Sequence, residues 1–240
     1  MAGLSQPSGG EPHAQTGLAG RLNRLRAGVL GANDGIVSVA AIAVGVAGAT
    51  SSSRAIVTAG LAALVGGAIS MALGEYVSVS SQRDSERALI AQEKAELQAD
   101  PLQELSELAD LYRARGLSSE TARKVAEELT QHDVLSAHLE AELGIVTTDV
   151  VSPWHAAAAS ALAFTIGGLL PLLTVVLIPT PGKVPLTFAI VLLALALTGA
   201  AGARLGGSPA ARASARVVVG GALALATTFG IGSLLGTPAG

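Results

Sequence analysis

Cysteine is absent from the 240-residue sequence, which excludes disulfides, zinc–thiolate sites, iron–sulfur clusters and thiol nucleophiles. Aromatic side chains are also scarce, at 2% of residues, and charged residues amount to only 14%. Hydrophobic residues nevertheless reach 50%, so most of them are Ala, Leu, Val and Ile. A sequence this apolar and this poor in charge is typical of an integral membrane protein.

Five apolar stretches are long enough to cross about 30 Å of hydrocarbon, which takes roughly 20 helical residues. Backbone polar groups cannot remain unpaired in lipid, so each stretch is predicted to be a helix. The predicted spans cover residues 27–50, 55–79, 156–178, 184–203 and 217–235. The sequence therefore predicts an all-α integral membrane protein with five transmembrane helices.

A charged insert separates the second span from the third. Residues 81–142 hold 14 of the 18 acidic residues and 7 of the 15 basic ones, and their leucines recur every three or four positions. That periodicity predicts amphipathic helices outside the membrane. No helix breaker separates Val79 from Leu97, so the second span is expected to continue into the insert.

Capping signals divide the rest of this insert. Asp100-Pro101 is predicted to start one helix, with Glu104 completing a capping box. Gly116 should stop that helix, and Ser118 should start the next. Together with the extension of the second span, these signals predict three helices.

The chain is accordingly divided into four parts. Residues 1–20, rich in Gly, Ser, Pro and Gln, are predicted to be a disordered tail. Residues 21–80 hold the first two spans, residues 81–150 the helical insert, and residues 151–240 the last three spans.

The distribution of Lys and Arg predicts the orientation. With a cytosolic N-terminus, five spans place 13 of the 15 basic residues on the cytosolic side and leave only Arg54 and Lys183 outside. The N-terminus and the insert are therefore expected to be cytosolic in a multi-pass protein.

Asp34 lies within the first apolar stretch. An aspartate at a span centre costs about 2.5–3.5 kcal/mol on insertion scales, so it is not expected to face lipid. Gly31 and Gly35 bracket it at a spacing that permits close helix packing, so two copies of this helix could cross there. The alternative is a solitary Asp34 that is hydrogen-bonded to a neighbouring helix.

Met71 and Glu75 in the second span are four residues apart and share one helix face. A thioether beside a carboxylate suits a borderline transition metal better than Mg²⁺ or Ca²⁺. The alternative is that Met71 fills space in the packing and that Glu75 lies near the membrane interface.

Three pairs of potential metal ligands in the insert are spaced to share a helix face. They are Glu93 with Glu96, Glu104 with Glu107, and His138 with Glu142, with Glu128 and His132 as reserve ligands. Each pair alone could be surface charge, but the set favours a site for a divalent transition metal. The spacing is not the Glu-x-x-His pattern of ferritin-like di-iron bundles, which argues against an oxidase centre.

Other function classes find little support. His13 and His155 need no function, and neither a phosphate-cradling glycine loop nor a plausible serine triad is present. Because the basic residues follow the membrane topology, nucleic-acid binding is not expected. The sequence does not indicate an enzyme.

These segments resemble the vacuolar iron transporter family, which occurs in plants, fungi, protists and bacteria. The strongest matches are GANDGIVS at 31–38 and SMALGEYVSVSSQRD at 70–84. Further matches are residues 159–164 with Gly167 and Pro171, and residues 214–216, 220–221 and 228–230. The Ala-, Gly- and Arg-rich composition favours a bacterial member.

The resemblance implies a homodimer with a cytosolic three-helix metal-binding domain. It also implies that the protein exchanges Fe²⁺, and often Mn²⁺, for protons. It implies translocation through Asp34, Met71 and Glu75. The implied cytosolic ligands are Glu93, Glu96, Glu104, Glu107 and Glu142. The sequence departs from the plant pattern at His138-Leu139, where two adjacent methionines would stand. An imidazole in place of a thioether changes the softness of the ligand set, which bears on the choice between iron and manganese.

The sequence thus favours a transporter that moves divalent iron or manganese out of the cytosol, with protons and the lipid bilayer as its other partners. The metal would be the substrate, and no permanently bound cofactor is expected. The membrane would be the plasma membrane in a bacterium or the vacuolar membrane in a eukaryote. The alternative is a membrane-anchored metal sensor or store without transport.

Overall fold

The computed structural model describes residues 13–145, 152–179 and 182–236, with side chains from residue 28 onward. These parts of the chain form seven helices and fall into two compact units. The membrane unit comprises the described residues up to Tyr76 and from Trp154, and the insert unit lies within Val77–Pro153. The helices are α1 (His13–Ala49), α2 (Ser53–Ala99), α3 (Pro101–Ala114), α4 (Ser119–Ala141), α5 (Pro153–Leu177), α6 (Lys183–Leu205) and α7 (Ala210–Leu235).

Five of these described helices are long and apolar enough to cross a membrane: Gly28–Ala49 within α1, then α2, α5, α6 and α7. The prediction of an all-helical protein with five apolar spans is therefore confirmed. The second span also continues into the insert, because α2 runs unbroken for 47 residues, or about 70 Å. That is more than twice the thickness of the hydrocarbon core, so the charged part of α2 beyond residue 80 lies outside the span.

The N-terminal tail is shorter than expected. It was predicted to reach residue 20, but α1 begins at His13. The glycines and prolines behind that prediction are concentrated in the first 12 residues, whereas good helix formers such as Ala, Leu, Gln and Arg predominate from residue 14. The first 12 residues lie outside the described part of the chain.

Helix α1 contributes to all three apolar clusters of the membrane unit. Its successive faces meet α6 and α7, then α2 and α5, so the helix contacts each of the other four spans. The buried members of these clusters are Ile36, Ala40 and Val44 with Val191, Leu195 and Leu225; Val39 with Leu64, Phe164 and Leu172; and Ala43 with Ile56 and Val175.

Glycines allow this central helix to approach its neighbours. A Cβ on Gly31 would lie 3.1 Å from Ala163 Cβ, and a Cβ on Gly35 would overlap the Phe164 carbonyl and lie 2.9 Å from the Gly168 nitrogen. Helix α5 of the same chain therefore occupies the space beside both glycines. The prediction that two copies of the protein cross at Gly31 and Gly35 is wrong, because α5 already packs there. The glycine spacing indicates close packing but does not identify the helix that packs.

The outer surface of the membrane unit is apolar. Helix α2 exposes a row of large side chains four residues apart, Leu61, Val65, Ile69 and Leu73, as expected for a face in contact with lipid. At the end of this unit the Tyr76 ring packs against Trp154 in a tilted arrangement, with 4.7 Å between centroids, and Trp154 remains 71% exposed.

Local signals set the helix ends in the insert unit. The Asp100 side chain accepts a hydrogen bond from Gln103 N and caps α3, and Ser118 does the same for α4 through Thr121 N. Between them Gly116 has φ +101°, a conformation that favours glycine. These predicted boundaries are confirmed.

The predicted capping box is wrong in one respect. The Glu104 carboxylate is buried and lies 3.7 Å from the His138 imidazole, so it serves a cluster inside the insert unit and does not reach back to the Asp100 backbone. It is also the fourth residue after the cap, one position beyond the third residue that a capping box uses. Leu108, one turn further along α3, packs against Ala126 and Ala141 of α4.

The α1–α5 contact predicts an asymmetry between two glycines of α1. Gly35→Ala should destabilise the membrane unit by about 1–3 kcal/mol, because backbone atoms of α5 leave no space for a methyl group. Gly28→Ala is the matched control, since nothing lies within 4 Å of a Cβ there. Thermal unfolding in detergent measures both, and equal melting temperatures for the two variants would contradict this packing.

Candidate metal site

Three buried side chains from three different helices converge in the insert unit. Glu93 comes from α2, Glu104 from α3 and His138 from α4, and they are 3%, 7% and 0% exposed. One potential ligand atom from each lies within 4.8 Å of the other two. The His138 Nδ1 is 3.1 Å from Glu93 Oε1 and 3.7 Å from Glu104 Oε2.

Despite these short distances, several atoms of the three side chains lack a hydrogen bond. Glu93 Oε1 and both ring nitrogens of His138 are buried without a hydrogen-bond partner. Burying a charged carboxylate is costly unless it is paired or coordinates a metal ion. Two carboxylates and an imidazole that converge with unused lone pairs form a suitable ligand set for a divalent transition metal.

A second, more open group adjoins the first. Glu107 and Glu142 each bring a carboxylate oxygen within 4.8 Å of an oxygen of Glu104, which thus belongs to both groups. Glu142 also lies 3.5 Å from His138 Nδ1. The acidic cluster, defined here as Glu93, Glu104, Glu107, His138 and Glu142, therefore extends from a buried end to an exposed one.

The other predicted insert ligands lie apart from this cluster. Glu96 is exposed and accepts a hydrogen bond from Gln92, although its charge acts on Glu93 and Glu104. Glu128 and His132 are exposed on the part of α4 that precedes Asp133, where the helix is interrupted. That interruption puts them out of phase with Glu142, so they do not join the described cluster.

Proton affinity in the cluster follows from burial and crowding. Burial raises the pKa of Glu104, and the neighbouring negative charge of Glu107 raises it further. Glu93 lies beyond the apolar part of α2, and burial followed by the charge of Glu142 raises its pKa as well. Both carboxyls thus hold protons more tightly than free glutamates do, and a metal ion must displace those protons.

The predicted translocation residues lie in the membrane unit. Asp34 is half-buried and accepts a hydrogen bond of 3.0 Å from Ser38 Oγ on its own helix. Met71 packs at the edge of the Val39, Leu64, Phe164 and Leu172 cluster, as the alternative of a packing residue predicts. Glu75 is half-buried, and in the described part of the chain it makes no ion pair.

Two polar contacts of the membrane unit are not predicted by the sequence. Thr198 of α6 donates a short hydrogen bond to Asn33, the residue before Asp34. The buried Lys183 ammonium donates to Ser53 Oγ at 3.0 Å, which links the start of α6 to the start of α2. Residue spacing along the chain could not predict either contact, because each joins residues more than 100 positions apart.

Five apolar helices and a buried cluster of carboxylates and imidazole are typical of a membrane protein that handles divalent metal ions. The sequence profile of the VIT family matches residues 25–233, so the chain belongs to this family. Members of the family are transporters and not enzymes.

Individual relatives cover most of the chain. A protein of Acanthamoeba castellanii named vacuolar iron transporter is 43% identical over 235 residues, which cover 98% of this chain and 86% of that protein. The vacuolar iron transporter homolog 5 of Oryza sativa subsp. japonica is 39% identical over 89% of this chain and 81% of its own length. The vacuolar iron transporter homolog 1 of Arabidopsis thaliana is 37% identical over 90% and 86%, respectively.

The raised pKa of Glu104 predicts how stability depends on pH. Because the folded insert binds this proton more tightly than the unfolded chain does, stability without metal should fall as pH rises above the ordinary glutamate value of 4.5. Glu104→Gln should reduce this loss and should be more stable than the wild type at pH 7. Thermal unfolding in detergent, followed by circular dichroism, measures this dependence.

Glu120→Gln, an exposed carboxylate in the first turn of α4, is the control and should keep the wild-type pH dependence. Mn²⁺ at pH 7 should raise the melting temperature of the wild type and of this control more than that of Glu104→Gln. A Glu104→Gln protein with the wild-type pH dependence would argue against a destabilising charge at this position.

Proposed function

We propose that this protein transports Fe²⁺ or Mn²⁺ out of the cytosol in exchange for protons and so contributes to iron and manganese homeostasis. The observation that carries the proposal is the buried acidic cluster, in which potential ligand atoms of Glu93 and His138 have no hydrogen-bond partner. The chain that contains this cluster belongs to a family of transporters. The names of the relatives, which specify iron, support this choice of metal.

The insert is proposed to collect the metal from the cytosol. Glu93, Glu104 and His138 would hold the ion at the buried end of the cluster, while Glu107 and Glu142 would capture it at the exposed end. Glu96 is exposed and would add negative charge that attracts cations. Oxygen ligands with one imidazole suit Mn²⁺ and Fe²⁺, and they lack the thioether that a softer ion would prefer.

The membrane unit is proposed to carry the ion across the bilayer through Glu75, Met71 and Asp34. Carboxylates inside a span are costly, and typically line ion or proton pathways. The Ser38 hydroxyl, which donates to one Asp34 oxygen, leaves the second oxygen available for an ion or a proton. Protonation of these carboxylates from the opposite side would release the metal, which couples transport to the proton gradient.

The orientation and the assembly are part of the same proposal. The excess of Lys and Arg on one side supports a cytosolic N-terminus and insert, in the plasma membrane of a bacterium or the vacuolar membrane of a eukaryote. The functional unit is proposed to be a homodimer whose contact lies away from Gly31 and Gly35, since α5 occupies both of these positions.

Flux through proteoliposomes tests the proposal. Asp34→Asn should reduce pH-gradient-driven Mn²⁺ transport by at least an order of magnitude, because an amide cannot exchange a proton. Metal binding by the acidic cluster should remain, since Asp34 belongs to the other unit. Glu140→Gln, an exposed carboxylate of α4, is the control and should transport at the wild-type rate.

The same measurement separates transport from a sensor or store. Wild-type protein that binds Mn²⁺ but shows no flux would favour a membrane-anchored sensor or store. Undiminished flux in Asp34→Asn would reject the proposed role of this residue.

A further inference from the structure

Helix α4 is interrupted shortly before the residues that it supplies to the acidic cluster. Asp133 has φ −160° and ψ 93°, an extended conformation inside a helix that otherwise runs over Ser119–Ala141. Residues 119–132 and 134–141 therefore form two helical segments that meet at a kink. The second segment carries His138, and Glu142 caps its end by donating its backbone N–H to the His138 carbonyl at 2.9 Å.

Asp133 caps the start of this second segment. Its carboxylate accepts one hydrogen bond from Ser136 N at 3.1 Å and another from Ser136 Oγ at 2.7 Å. An acceptor at this position that bonds the backbone N–H three residues later is the arrangement of a helix N-cap. The hydrogen bonds from Ser136 also lower the pKa of Asp133, so the capping group stays ionised at neutral pH.

The kink changes the direction in which His138 points. An unbroken helix turns about 100° per residue, which would place His138 about 120° around the axis from Ala126. Yet the α3 face formed by Glu104 and Leu108 contacts both, because Leu108 packs on Ala126 and Glu104 lies 3.7 Å from His138. The interruption at Asp133 thus allows the two segments of α4 to face α3 with different phases.

We propose that Asp133 is a positioning residue, whose capping of the second α4 segment aims His138 and Glu142 at Glu93 and Glu104. This inference rests on the proposed role of the acidic cluster in metal binding. Asp133 is itself exposed and lies outside the cluster, so it acts through the direction of the segment and not as a ligand.

Variants of Asp133 test this role in the full-length protein in detergent with Mn²⁺ as the probe. Asp133→Ala removes the acceptor for Ser136 and should weaken Mn²⁺ binding about five- to thirty-fold, as expected for a lost helix cap. It should also reduce the nitrogen coupling of bound Mn²⁺, measured by electron spin echo spectroscopy, because fewer bound ions would contact the His138 imidazole. His138→Gln defines the signal without that contact.

Two further variants separate positioning from charge and from general stability. Asp133→Asn retains a capping oxygen and should bind Mn²⁺ with nearly the wild-type Kd and nitrogen coupling. Ser118→Ala removes the cap of the first α4 segment, so it should lower the melting temperature but leave the Kd and the coupling unchanged.

Three outcomes would overturn the inference. An unchanged Kd and coupling in Asp133→Ala would show that the cap does not aim the ligands. Equal weakening in Asp133→Asn would mean that the charge matters and the cap does not, and equal weakening in Ser118→Ala would mean that any loss of helix stability suffices. Wild-type protein that fails to bind Mn²⁺ in the insert would instead contradict the proposed function, which distinguishes the two failures.

Discussion

The uncompensated charge of the acidic cluster is the constraint on which the insert unit depends. Glu93 and Glu104 are withdrawn from water beside an imidazole, and Glu93 Oε1 lacks the hydrogen bond that would offset its desolvation. Helix caps and the contacts of Leu108 therefore help to hold together three helices whose carboxylates repel one another. Stability is lost by this arrangement and would be restored by a divalent cation.

The helices of the membrane unit must associate in lipid, and glycine provides much of their close contact. Lipid offers apolar helices no hydrophobic reason to associate, so close contact and dispersion must hold them together. Glycine provides this contact at Gly35 against α5, and at Gly232 of α7 against Gly45 of α1. Glycine also makes room for one of the few aromatic residues, because a Cβ on Gly67 of α2 would overlap the buried Phe164 ring.

Much of this architecture could be predicted from the sequence, because it depends on local signals. Length and hydropathy identified the five spans, the absence of a breaker identified the continuity of α2, and Asp100 and Ser118 marked two helix starts. One error arose where a tertiary partner decides, because the Gly31 and Gly35 spacing could not reveal that α5 packs there. The kink at Asp133 was missed for a different reason: its cap on Ser136 is local, but the helical periodicity of the leucines on either side concealed it. The spacing of the three ligand pairs predicts a metal site in the insert, and the resemblance implies Glu93 and Glu104 as ligands. Spacing alone could not show that Glu93, Glu104 and His138 converge, since they lie on three separate helices.

The few aromatic side chains also determine how the protein can be observed. Its one tryptophan, Trp154, packs against Tyr76 in the membrane unit, whereas Tyr112 is the sole tyrosine of the insert unit. Fluorescence excited at the red edge of the indole band therefore originates in the membrane unit alone. Without any added label, the emission of Trp154 separates the optical behaviour of the membrane unit from that of the insert unit, which has no indole.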